Sequence, residues 1–321
     1  MRLLTRHVAL GCLSRGAALA GIAAALGALV GFVEEGNRAA FAAGGSMWSA
    51  ALSRIPEVVF FASPLITVLA VLWAARELVP ASVEEGLGGA GVPGRRIDAG
   101  LAVATVFLGV MAALLGGWLA PLAQRNAAPD PAAAWARSGG APEWSATGWT
   151  WVRTPDGVAR VQIDGSRVRV TRALTWGPRG PVESPAPAAL PPQVLPSVDD
   201  VKVLSLPPAF LTLPELFGAS TARERFGHLA APVHAEISLR AGIVLLLAPA
   251  SLVGLACRRV RRASRRWSLV AAFVLAAMLG LQASHVWATR GELPVLVVVL
   301  VPLALGSLVA AAAWGMREAR G

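Results

Sequence analysis

Six stretches of the chain are apolar for long enough to cross a membrane: residues 16–33, 58–75, 99–122, 241–257, 267–288 and 293–316. A helix needs roughly 17–25 such residues to traverse a hydrocarbon core about 30 Å thick. None of the six contains Asp, Glu, Lys or Arg. The pattern changes between the third and fourth stretches. There, residues 149–153, 158–163 and 167–173 alternate or carry β-branched side chains, as half-buried strands do. Pro155-Asp156-Gly157 and Asp164-Gly165 separate them, and both are hairpin turn sequences. Residues 177–196 are proline-rich and read as a linker or an extended edge, 201–206 as a further strand, and 214–228 as a short helix. Trp135, Trp144, Trp149, Trp151 and Trp176 supply apolar bulk to this region. The pattern predicts an α-helical polytopic membrane protein of six transmembrane helices, three before and three after an inserted extracytoplasmic antiparallel β domain, a reduced jelly roll. The N-terminal membrane half is 1–122, the β domain 123–236 and the C-terminal membrane half 237–321.

Charge orients these spans. Residues 258–266 (RRVRRASRR) hold six arginines between two uncharged apolar segments. Short loops rich in arginine stay on the cytoplasmic side. Arg2, Arg6 and Arg15 precede span one, Arg76, Arg95 and Arg96 lie between spans two and three, and Arg317 and Arg320 follow span six. All four groups fall on one side. Both termini are then cytoplasmic, and residues 123–236 face the other compartment. Arg15 and Arg240, at the edges of spans one and four, are expected to snorkel to the two interfaces. Span one could instead be a cleaved signal peptide ending at Ala40-Phe41-Ala42. Glu34, Glu35 and Arg38 make the intervening segment long and charged, which argues against that.

Composition narrows the function. Hydrophobic residues make up 55% of the chain and charged ones 15%, too apolar for a soluble globular protein. The net charge of +10 sits at the ends of apolar segments and not on a polar stripe, so nucleic acid is not an expected partner. Lys202 is the only lysine among 29 basic residues, and tyrosine is absent, as GC-rich codon usage produces. Cys12 and Cys257 both fall near cytoplasmic ends of spans, and the polar region has no cysteine to staple. Neither the cysteines nor His228 and His234, six residues apart, make a metal site, and no cofactor is implied. The chain carries no phosphate-cradling Gly-rich loop with Lys-Ser/Thr, no His-Glu-x-x-His and no Gly-x-Ser-x-Gly. With His285 the one histidine inside a span, little in the membrane can carry protons or sodium. Transport driven by ATP would need a separate subunit to hydrolyse it.

The loop between spans two and three carries the most information. Ser82 can cap a short helix over about 82–91, with Glu84 and Glu85 in its first turn, where the helix dipole favours acid. Gly89-Ala90-Gly91-Val92 ends it, and Arg95-Arg96 begins the next span. This loop resembles that of the LptF/LptG (YjgP/YjgQ) permeases, the membrane subunits of the lipopolysaccharide-exporting ABC transporter. Their loop reads Ser-x-Glu-Leu-x-Ala-Leu-x-Ala-x-Gly-Val-Ser-x-x-Arg-Ile. Ser82, Glu85, Gly91, Val92, Arg96 and Ile97 fit it, with Pro93 in place of serine. The resemblance continues in Ile55-Pro56 with Pro64, in Ala120-Pro121-Leu122-Ala123, in Leu239-Arg240, and in Gly291-Glu292-Leu293-Pro294 followed by Pro302. It covers both membrane halves and is weak in the β domain.

The resemblance implies a non-catalytic permease subunit that extracts lipopolysaccharide or a related lipid from the inner membrane. Its partners would be a cytoplasmic ABC ATPase dimer, a second LptF/LptG-like permease, and a periplasmic bridge protein of the LptC/LptA type. Ser82, Glu84, Glu85, Leu87, Gly91, Arg95 and Arg96 would couple it to the ATPase. Arg38 and Arg240 are the lipid-path candidates. The external region is shorter than a full jelly roll, and Arg38 is the nearest counterpart of the basic residues that the family places at the outer half of span one. A membrane-anchored sensor or scaffold with a ligand-binding β domain is the alternative, although the short cytoplasmic loops leave no room for an output domain.

Overall fold

A computed structural model describes residues 2–39, 47–90, 94–127, 149–154, 157–164, 167–177, 180–184, 208–224, 230–260, 263–290 and 295–318. The chain divides into two compact units, Met1–Ala127 with Ile237–Gly321, and Ala128–Glu236.

The first unit is helical because backbone amides buried in an apolar layer must bond within their own segment. Its helices are α1 (Arg2–Ala39), α2 (Met47–Leu78), α3 (Ala81–Gly89), α4 (Arg95–Leu114) and α5 (Ala120–Ala127). They are followed by α7 (from Ala230, of which Ile237–Leu245 belongs here), α8 (Leu247–Arg259), α9 (Ala263–Arg290) and α10 (Val295–Glu318). Six segments are long and apolar enough to cross a membrane: Leu3–Val33, Ala51–Leu78, Arg96–Asn126, Pro232–Arg258, Ala263–Arg290 and Val297–Trp314. This is the pattern of a multi-pass membrane protein: stretches 16–33, 58–75 and 267–288 each lie within one helix, 99–122 and 241–257 each run through two successive helices, and 295–316 of the sixth is helical. Most of the helices run past those stretches into charged flanks, since arginine and glutamate are good helix formers.

α2 is the central helix. Gly27 and Gly31 let α1 close onto it: a Cβ on Gly31 would lie 2.7 Å from the Ala51 Cα and 2.9 Å from its carbonyl oxygen. Small residues at such crossings permit the backbone approach on which helix association in membranes depends. Gly254 does the same for α8, where a Cβ would lie 2.9 Å from Val71. One buried cluster joins α1, α2 and α4 through Val8, Cys12, Val71, Ala75, Ile97 and Leu101. A second joins α2, α8, α9 and α10 through Val68, Val253, Phe273, Ala277 and Ala313. These clusters bring the starts of α1, α4 and α9 and the ends of α2, α8 and α10 to one end of the unit, the end where Arg6, Arg15, Arg76, Arg96, Arg258 and Arg266 lie.

Two irregularities shape the spans. α4 passes into α5 through a π-turn, Leu115–Leu119, whose Gly116 and Gly117 are buried. The Ala120 N–H bonds the Leu115 carbonyl, five residues back. A Cβ on Gly116 would lie 2.5 Å from the Phe60 ring. The fourth span breaks at Leu246, between α7 and α8. Pro249 has no N–H for the Leu245 carbonyl, and a proline in the first turn of a new helix loses nothing. Pro302, inside α10, lies against Gly280, where a Cβ would be 2.7 Å from its Cα.

The second unit holds four strands, β1 (Trp149–Thr154), β2 (Gly157–Asp164), β3 (Arg167–Gly177) and β4 (Gly180–Ser184), paired antiparallel in sequential order. Thr154 pairs with Gly157, Asp164 with Arg167 and Gly177 with Gly180, so each connection is a two-residue hairpin. The three strands expected from alternation are present. β4 falls in the stretch read as a linker or extended edge. A bulge sets Thr171 outside the β2–β3 register, and its Oγ1 donates to the Arg160 carbonyl at 3.2 Å. The Arg172 guanidinium and the Glu183 carboxylate form a two-point pair across β3 and β4. Among the described residues the strand order is that of a meander and lacks the non-consecutive neighbours of a jelly roll. The expected strand 201–206 lies outside the described residues.

The short helix read at 214–228 is α6, Leu213–Glu224. Thr212 and Glu215 cap it: the Thr212 N–H and Oγ1 both donate to Glu215 Oε2, at 2.7 and 2.8 Å. The Leu216 N–H bonds the Thr212 carbonyl at 2.8 Å.

Candidate functional site

The loop between α2 and α4 forms a helix, α3, at Ala81–Gly89. The expected cap is corrected. Pro80, with φ −58° and ψ 159°, occupies the N-cap position, and its carbonyl accepts the Val83 N–H at 3.0 Å. Proline's fixed φ turns the chain out of α2 and starts the new helix two residues earlier than a cap at Ser82 would. Ser82 is therefore the second helical residue, and Glu84 and Glu85 are the fourth and fifth, past the first three N–H groups where the dipole acts most strongly. At the other end the Ala90 N–H bonds the Gly86 carbonyl at 3.0 Å. Gly91 lies outside the described residues, as do the side chains of Ser82, Glu84, Glu85 and Arg95.

Among the described side chains of α3, Leu87 is the anchor and the others are open. Leu87 is half-buried and packs against the cluster that contains Val8, Cys12, Val79 and Ile97. Val83 is exposed, and a Cβ on Gly86, Gly88 or Gly89 would meet no atom within 4 Å. The glycines are thus not required by packing within the unit, and they leave a low, backbone-accessible surface. Arg95 begins α4, Arg96 is half-buried, and the Arg96 carbonyl accepts the Thr5 hydroxyl at 3.4 Å. Asp98 stands in the first turn of α4, where its charge suits the dipole.

Arg15 does not simply snorkel. It pairs with Glu77 in the last turn of α2, its Nε donating to Glu77 Oε2 at 3.1 Å. Trp73 Nε1 donates to the other carboxylate oxygen, and the guanidinium carbon lies 5.8 Å from the centre of the Trp73 ring. Glu77 was the residue missed in the sequence. The signal was available: topology puts an arginine and a glutamate at the same end of two adjacent spans.

The lipid-path candidates separate. Arg38 is near the end of α1, and its side chain lies outside the described residues. Arg240 is only 6% exposed and lies within the segment Pro232–Arg258. The helix starts at Ala230, more than two turns before the expected boundary, so Arg240 sits inside the span, and the packing encloses it. Glu236 is likewise within that segment. His228 lies outside the described residues, and among those described no three His, Cys, Asp or Glu side chains could hold a metal ion.

No protein-family model matches the chain, and no curated protein matches it in sequence.

Proposed function

We propose that the chain is the membrane-spanning permease subunit of an ABC transporter that extracts lipopolysaccharide or a related lipid from the inner membrane. One observation carries this reading: α3, a short helix anchored by Leu87, lies at the basic end of a three-plus-three bundle with Val83, Gly86, Gly88 and Gly89 open. The basic end faces the cytoplasm, which puts residues 123–236 in the periplasm. α3 offers a cytoplasmic ATPase dimer a handle on the membrane helices. ATP is hydrolysed on that dimer, and this subunit catalyses no covalent chemistry. A second LptF/LptG-like permease completes the lipid cavity, and a periplasmic bridge protein of the LptC/LptA type receives the lipid from the β unit.

The test is to purify the tagged full chain from native membranes in mild detergent and identify its stoichiometric partners by mass spectrometry. A P-loop ATPase together with a second six-helix permease is the expected result. Recovery without an ATPase, under conditions that keep a known transporter of this kind intact, rejects the reading in favour of a sensor or scaffold. Glu85→Ala should lower ATPase retention or lipid-stimulated hydrolysis while leaving the thermal stability of the subunit unchanged. Full retention and coupling in that variant would remove Glu85 from the docking surface.

A further inference from the structure

Thr5, Val8, Cys12 and Arg15 recur at the three-and-four spacing that aligns them along one face of α1. Each meets the chain on one side or the other of α3. Thr5 bonds the Arg96 carbonyl, and a Cβ on Gly100 would lie 2.8 Å from the Thr5 carbonyl oxygen. Val8 and Cys12 share a buried cluster with Val79, just before α3, and Ile97, just after it. Arg15 reaches Glu77, and Gly11, one turn earlier, lies against the end of the Leu78 side chain. Leu87 of α3 packs into the same cluster. Both ends of the segment that carries α3 are therefore seated on the first four turns of α1.

The Arg15 end is the one built from charge. Its Nη1 donates to the Gly11 carbonyl at 2.8 Å, so the guanidinium is held by its own helix as well as by Glu77 and Trp73. Only Val79 and Pro80 separate α2 from α3, a connection too short to absorb a displacement. A shift of α3 must then move the end of α2, and with it Glu77 and α1. α1 continues unbroken to Ala39, and beyond Arg15 it exposes Ile22, Leu26, Leu29 and Val33.

We propose that Arg15 is a positioning residue that ties α3 to α1, so that displacement of α3 is relayed along α1 to the exposed apolar stripe between Ile22 and Val33. The relay rests on the reading of α3 as the ATPase contact, and it adds the element that carries the motion and the ion pair that joins it. Exposed ion pairs contribute little to folding, so loss of the pair leaves the bundle intact and loosens the linkage.

The experiment uses the full chain with Arg15→Glu, Glu77→Arg and the double exchange, and Arg15→Lys as a conservative companion in case the reversals fail to fold. Two readouts are taken. The first is lipid-stimulated ATP hydrolysis per retained ATPase. The second is the distance between nitroxides at Val83→Cys and Ile22→Cys, both exposed positions, with Cys12 and Cys257 buried and out of reach. Each single reversal should cut stimulation at least about threefold and broaden the distance distribution, and the double exchange should restore both. Unchanged singles, or a double exchange no better than either, overturns the relay. If no ATPase accompanies the wild-type chain, the docking reading fails, and the distance measurement alone decides whether Arg15 couples α3 to α1.

Discussion

Replacing Gly31 with alanine measures how much of the bundle depends on the approach of α1 to α2. The new Cβ would meet Ala51 at 2.7 Å from its Cα and 2.9 Å from its carbonyl oxygen, both backbone atoms that cannot rotate away. Carbon atoms in contact prefer separations of roughly 3.5–4.0 Å, so the helices must part by about 1 Å. A gap of that size forfeits up to about half of each neighbouring contact's attraction. Arg54 is pushed as well, since its Cγ would lie 3.1 Å from the same Cβ, and with it the Arg54–Glu57 pair. Overpacking of this kind costs about 1–3 kcal/mol. Gly21→Ala is the internal control: it is on the same helix, and its Cβ would meet nothing within 4 Å. Both changes gain the same helix propensity, at most about 1 kcal/mol, so their difference isolates the packing. Unfolding in mixed micelles by added SDS should show Gly21→Ala unchanged or more stable and Gly31→Ala less stable. Equal shifts would mean that α1 and α2 are not held together at this crossing.

The other expectations are local. Cys12 and Cys257 are each 0% exposed, so a membrane-permeant maleimide should leave native protein unlabelled and modify two thiols after denaturation; labelling of folded protein would contradict the packing at the basic end. Thr212→Ala removes the hydroxyl's bond to Glu215 while the backbone N–H keeps its own, and should destabilise α6 by about 0.5–1.5 kcal/mol, seen as faster amide exchange over 213–224 and unchanged exchange in α9. In the sheet, hydrogen bonding to Arg172 holds the Glu183 carboxyl below the usual carboxylate range and raises the Arg172 guanidinium. A carboxyl whose folded value is depressed contributes stability above its unfolded pKa and loses it as pH falls through the folded value. The difference in stability between the wild type and Glu183→Gln should therefore shrink on acidification below the usual carboxylate range, and a difference that grows would refute the pairing.

Those parts of the fold that were legible in the sequence have a one-dimensional cause. An apolar run long enough to span a membrane is helical whatever surrounds it, and a two-residue connection such as Gly165-Ser166 fixes the register of its own hairpin. The loop helix was legible for the same reason, but its start was not. Both Pro80 and Ser82 can open a helix, and the choice fell to the residue that leaves α2. The burial of Arg240 was not legible because its helix begins well before the apolar run, and only packing in three dimensions shows that a charged position is enclosed. The Arg15–Glu77 pair needed both topology and the rotational setting of α1 against α2, and the second is decided by glycines whose role emerges only from what they touch. The Thr212-x-x-Glu215 box was written plainly in the sequence and, with Pro214 in the first turn, marks where α6 starts.

The π-turn in the third span has an angular consequence. A turn closed by a five-residue step holds one residue more than an α-turn, so everything after Leu119 is rotated by about 100° from where a regular helix would have put it. That phase aims Gln124 into the unit, where it is 8% exposed. Deleting a single residue from Leu115–Leu119 would restore the regular ladder, turn Gln124 toward the surrounding lipid, and bring apolar neighbours inward in its place. The extra residue thus works as a compass correction for the last stretch of chain before residue 128.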